Sequence, residues 1–135
     1  MKKKITIKQA FFAMKNYLDD FYFKTHSDDV GAFLGACNWF EDGGTFDPAM
    51  WDDWVKIAKE NYGEEFSLVD GFNIMKKFLQ NFYDLAPFND FKKILSTLCL
   101  SPDNKPINSD AWSLWLKCID KALEDEGKPY KSPFV

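Results

Sequence analysis

The sequence predicts an all-α protein of about six helices, arranged as two tandem three-helix units packed as one domain. Two features of the chain lead there: it aligns with itself, without a gap, at an offset of 61 residues, and its apolar residues recur at helical spacing. No segment alternates convincingly with a period of two, so no strand is expected. The offset carries Phe11, Met14, Leu18, Phe21 and Tyr22 onto Phe72, Met75, Leu79, Phe82 and Tyr83. It also carries Leu34 onto Leu95, Trp51 onto Trp112 and Trp54 onto Trp115. Residues 5–60 match 66–121 at twelve positions, where ordinary amino-acid usage gives roughly three or four. One copy therefore serves as a control for the other. Positions that agree are held by the fold, and positions that differ are where function can reside.

The first helix of each unit opens on a cap. Thr6-Ile-Lys-Gln9 has the capping-box pattern, and Ser67-Leu-Val-Asp70 repeats it with a shorter acid. From each cap an apolar stripe runs at helical spacing through Phe11, Met14 and Leu18, and through Phe72, Met75 and Leu79. A shorter second helix follows Ser27, with Val30, Phe33, Leu34 and Cys37 on one face; Phe91, Ile94, Leu95 and Leu98 are its twin. Turns come next, Glu41-Asp42-Gly43-Gly44 in one unit and Pro102-Asp103-Asn104-Lys105 in the other. Asp47 is a natural N-cap for the third helix, Pro48 suits its first position, and Phe46 can staple to Trp51. In the second unit Asn108 caps while Ile107 faces Trp112. Residues 61–65 link the units, Gly127 ends the last helix, and the tail 127–135 is expected as a strap over the surface.

A chain of 135 residues is one domain by length. It buries about 68% of its unfolded surface, in a core rich in the 14 Phe, 5 Trp and 5 Tyr. The 17 basic residues are all lysine, set against 21 carboxylates, for a net charge of −4. That balance argues against a nucleic-acid partner and suits a basic protein. The three cysteines, Cys37, Cys99 and Cys118, have no metal spacing and read as buried reduced thiols of a cytoplasmic protein. Lys8, Gln9, Lys15 and Asn16 break any leader-like run after Met1, and no stretch approaches the length of a membrane span.

The two units differ sharply in charge. Residues 25–55 hold Asp28, Asp29, Glu41, Asp42, Asp47, Asp52 and Asp53 with no lysine, a local charge of −7. The equivalent stretch, 86–116, balances Asp90, Asp103 and Asp110 with Lys92, Lys93 and Lys105. The fold does not require the acidity. Asp47 is assigned to capping, and Asp28 or Asp29 partly serves a helix N-terminus. Glu41, Asp42, Asp52 and Asp53 have weaker structural reasons. A solvated face is the plain reading of such a cluster; a binding face for a basic partner is the sharper one.

On the short helix, Asp28, Gly31 and Gly35 line one side, opposite the polar Asn89, Lys92 and Ser96 of the second unit, so this side is expected to face solvent. Two glycines there imply close approach, either by a partner chain or by a neighbouring helix of the same molecule. Trp51 and Trp54 are expected in the core because both units keep them. Trp39, whose counterpart is Leu100, flanks the acidic turn and reads as an interface anchor. His26, the single histidine, has no evident nucleophile or base beside it, and no metal, cofactor or phosphate-loop pattern is present. An enzyme is the less favoured class.

The run Ser27-Asp-Asp-Val-Gly-Ala-Phe-Leu-Gly35, then Asp42-Gly43, Asp47-Pro-Ala49, Trp51 and Asp53-Trp54, resembles a pattern of small acidic bacterial immunity proteins. These are encoded beside secreted polymorphic toxins, including those of contact-dependent growth inhibition systems. The resemblance covers about residues 7–60; the second unit keeps the tryptophans but lacks the aspartates, glycines and proline. It implies a non-enzymatic cytoplasmic inhibitor whose partner is a cognate toxin domain. A nuclease with a basic cleft is the class that carboxylates standing in for phosphates would block. The expected partner-binding residues are Asp28, Asp29, Gly31, Gly35, Trp39, Glu41, Asp42, Asp52 and Asp53. A structural or adaptor helical module, homodimeric or binding another protein, is the alternative, and homo-oligomerisation stays open.

Overall fold

The computed structural model describes residues 4–40 and 43–128. In chain order its elements are β1 (Lys4–Thr6), α1 (Ile7–Thr25), α2 (Asp28–Ala36), α3 (Pro48–Asn61), β2 (Glu65–Ser67), α4 (Leu68–Leu85), α5 (Asn89–Thr97) and α6 (Ser109–Asp125). The protein is mostly helical, with six helices and one very small sheet among the described residues.

The helix starts follow from local chemistry. At α1 the capping box is complete: Thr6 Oγ1 accepts from the Gln9 amide at 3.2 Å, and Gln9 Oε1 accepts from the Thr6 amide at 2.9 Å. Ser67 caps α4 by accepting from the Asp70 amide at 3.1 Å. Ser27 Oγ caps α2 through the Val30 amide at 3.2 Å and also donates to Asp90 Oδ2 at 2.5 Å, tying the start of α2 to the start of α5. Asp47 accepts from the Ala49 amide at 3.0 Å with Pro48 in the first turn of α3, and Asn108 accepts from the Ala111 amide at 2.9 Å at α6.

The strands correct the all-helical expectation. β1 and β2 pair antiparallel, Lys4 opposite Ser67, Ile5 opposite Phe66 and Thr6 opposite Glu65. Each strand offers one inward residue between two wetter ones, Ile5 at 0% and Phe66 at 3% exposure, so neither is long enough to display a period of two.

Several hydrogen bonds recur at the same 61-residue spacing. Trp54 Nε1 donates to the carbonyl of Ile7 at 3.0 Å, and Trp115 Nε1 to that of Leu68 at 2.9 Å. The isolated bridge Trp39–Thr45 is matched by Leu100–Pro106. Both tryptophans are fully buried.

Within the hydrophobic core an aromatic cluster joins the two halves. Phe78 of α4 meets Trp54 of α3 at 5.2 Å and Phe11 of α1 at 6.5 Å, while Phe33 of α2 packs between Phe82 and Phe91. Outside it, α1 lies along α6, where Asn16 Nδ2 donates to the Cys118 carbonyl at 3.1 Å, and α3 lies along α4.

Three smaller expectations are corrected. Phe46, expected as a staple over Trp51, stands 65% exposed with its ring against Phe40, and Ile107 is 63% exposed. Cys37 and Cys118 are buried, but Cys99 is exposed, because it follows α5 just past Leu98, which takes the inward place. The strap expected over 129–135 lies outside the described residues.

Candidate functional site

Two groups of the predicted site residues sit at opposite ends of α2. Asp28 and Asp29 occupy its first turn, where carboxylates oppose the positive end of the helix dipole. Asp28 is exposed and Asp29 half-buried. Nine helical residues carry the chain about 13 Å to a tight turn at the other end.

That turn is clamped onto the start of α3. The Phe46 amide donates to the Asn38 carbonyl at 2.7 Å and the Asp47 amide to the Ala36 carbonyl at 3.0 Å. Buried Thr45 donates to the Asp47 carbonyl and accepts from the Trp51 amide at 3.2 Å. Gly43, at φ +94°, supplies the left-handed conformation that turns the chain back. Asp47 caps α3, and Asp52 and Asp53 are exposed on its second turn, a helical rise of about 6–9 Å from its start. Asp28 and Asp29 thus stand at the N-terminal end of α2, while Asp47, Asp52 and Asp53 cap and line the start of α3, beyond the turn that follows α2. Glu41 and Asp42 lie outside the described residues.

None of the five ion pairs among the described residues uses Asp28, Asp29, Asp47, Asp52 or Asp53. The second half is different: Asp90, the counterpart of Asp29, pairs with Lys93 at 3.8 Å, and Asp103 pairs with Lys105 at 3.6 Å.

Trp39 is partly exposed, as expected, and its ring also packs within the molecule. It is half-buried, wedged against Trp51 at 5.0 Å, Phe12 at 5.3 Å and Phe11 at 6.2 Å, with Lys8 Nζ 5.0 Å over its ring. It walls the core between α1 and α3. The exposed rings here are its neighbours Phe40 and Phe46, 48% and 65% exposed, with centroids 5.9 Å apart. Sequence reasoning assigned Phe46 to a staple over Trp51 and passed over Phe40. The signal was available: in the 61-residue alignment Phe40 stands opposite Ser101, as Trp39 stands opposite Leu100.

The glycines part company. A Cβ on Gly31 would lie 2.8 Å from Tyr22 Cε1, so of the two expected alternatives it is α1 of the same molecule that makes the close approach, and the position is half-buried. A Cβ on Gly35 would meet nothing within 4 Å.

Other chemistry is sparse. Lys15 is buried on α1 with Nζ 5.3 Å over the Phe12 ring. Burial lowers its pKa to about 8, against the opposing pull of Cys37 and Asp19. An open groove of about 360 Å³ between α1 and α6 is bounded by Asp19, Asp20, Lys117 and Lys121, and another of about 250 Å³ lies beside α4 at Asn73, Lys76 and Lys77. Cys118, on the first, is held protonated, burial pushing its thiol up to about 12. No group of three metal-ligating side chains and no helix long and apolar enough to cross a membrane occurs among the described residues. Comparison with protein-family models, with curated proteins and with solved structures returns no match to this chain.

Proposed function

We propose that this chain is an immunity protein: a non-enzymatic cytoplasmic inhibitor that binds a cognate toxin domain and occludes a basic active site, of the nuclease class. Its scaffold is two tandem three-helix repeats, 5–60 and 66–121, packed as one domain about the β1–β2 ribbon. Recurrence of caps, bridges and tryptophan hydrogen bonds at one spacing supports the repeat. The observation that carries the function is the charge asymmetry on that common scaffold. The first half leaves Asp47, Asp52 and Asp53 exposed and outside every described ion pair, whereas the second half pairs Asp90 and Asp103 with lysines. Unneutralised carboxylates on an exposed helix start attract a basic surface and speed its capture, which serves an inhibitor that must act as soon as toxin enters.

The test is binding of the toxin domain encoded immediately upstream, measured for wild type and for Asp52→Lys with Asp53→Lys. The double variant is expected to fold as wild type and to bind about tenfold or more weakly at low salt, chiefly through slower association. Equal affinity and equal salt dependence for the two proteins would refute the proposed face. The adaptor reading has its own observation: Leu85 is 88% and Phe88 42% exposed at the corner between α4 and α5. A concentration-dependent dimer lost on Leu85→Ser would favour it.

A further inference from the structure

The turn at residues 38–47 and the turn at 99–108 share one hydrogen-bonded frame. The Phe40 amide donates to the Gly44 carbonyl at 3.0 Å, as the Ser101 amide does to Lys105 at 2.8 Å. The Phe46 amide donates to the Asn38 carbonyl at 2.7 Å, as the Ile107 amide does to Cys99 at 3.1 Å. Serine and isoleucine therefore suffice where the first turn has two phenylalanines. At 48% and 65% exposure the two residues forfeit a large part of the stabilisation that full burial would bring. The two rings lie tilted against each other, 5.9 Å apart at 50°, so they present one joint apolar surface.

Charge selects the occupant. Asp47 follows Phe46 directly and Asp52 and Asp53 lie on the next turn of helix, all exposed and in no described ion pair. A complementary surface has an apolar slot rimmed by cations. We propose that the Phe40–Phe46 pair is the anchor of the complex, entering an apolar slot bordered by lysine or arginine on the toxin domain. This rests on the immunity reading above and adds to it the residues that hold the partner once captured.

The molecule supplies the control. Phe40→Ser with Phe46→Ile writes the second turn's residues into the first, so the helical circular dichroism and the melting temperature should stay near wild type. Binding to the purified upstream-encoded toxin domain should weaken about 30-fold or more, mainly through faster dissociation and with the salt dependence retained. Unchanged affinity for this variant, with Asp52→Lys plus Asp53→Lys still defective, would overturn the anchor and leave the immunity reading standing. Unchanged affinity for both variants would overturn both. Sedimentation is the remaining arm: a wild-type dimer that becomes monomeric in Phe40→Ser with Phe46→Ile would assign the pair to self-association and also overturn the anchor.

Discussion

Replacing Trp54 or Trp115 with alanine is the most direct test of the scaffold. Each indole is fully buried and each Nε1 donates to the carbonyl of the first residue of a long helix, Ile7 or Leu68. Truncating a buried aromatic costs about 3–5 kcal/mol, and the lost hydrogen bond about 1 more, giving about 4–6 kcal/mol for either variant. A domain of 135 residues has about 7–20 kcal/mol in total, so both variants should still fold, close to their limit. Phenylalanine keeps most of the ring volume, and the abandoned carbonyl still accepts within its own helix. Its cost should therefore be nearer 1–2 kcal/mol. Urea unfolding followed by circular dichroism at 222 nm reads these differences without depending on indole fluorescence. With a slope of about 2 kcal/mol per molar, the alanine variants should shift the midpoint down by about 2–3 M. A loss below about 1 kcal/mol for either alanine variant, or a full loss in one and none in the other, would refute the equivalence of the two tryptophans.

Two further outcomes follow from individual side chains. Gly35→Ala should stabilise α2 by up to about 1 kcal/mol, since its Cβ meets open space, whereas Gly31→Ala should be lower by about 1–3 kcal/mol because the Tyr22 ring must move; thermal melts in which Gly31→Ala equals or exceeds Gly35→Ala would contradict the contact. Lys15 has a folded pKa of about 8 against 10.5 unfolded, so its charged form destabilises the fold below pH 8 and the penalty lifts as pH rises towards 10.5. The stability difference between wild type and Lys15→Met should therefore move in favour of wild type by about 1 kcal/mol from pH 7 to pH 9. Comparing the two proteins cancels the opposing loss from Cys118, whose thiol burial raises to about 12 and which is not coupled to Lys15. A difference constant across that range would show that burial does not perturb the amine.

How much of this was legible in the chain depended on the range of the interaction. Helix starts are decided within four residues, so Thr6 with Gln9, Ser27, Asp47, Ser67 and Asn108 could be read directly as caps. Tryptophans kept at matching positions also pointed inward correctly at Trp54 and Trp115. The site was less legible. Exposure of an aromatic residue is decided by what arrives from elsewhere: Phe11 and Phe12 of α1 and Trp51 of α3 cover Trp39, and nothing among the described residues covers Phe46 to the same degree. Sequence proximity likewise grouped Asp28 with Asp52, although they stand on different helices, α2 and α3.

By itself, then, the sequence determined the helical segments, their caps, the 61-residue recurrence and the imbalance of charge between halves, all properties of composition and short-range spacing. Tertiary structure alone decided that Ile5 pairs with Phe66, that Tyr22 fills the space above Gly31, and that Phe40 and Phe46 stand further into water than Trp39. Those outcomes depend on residues brought together from distant positions, and side-chain burial is a property of that assembly rather than of any local stretch of chain.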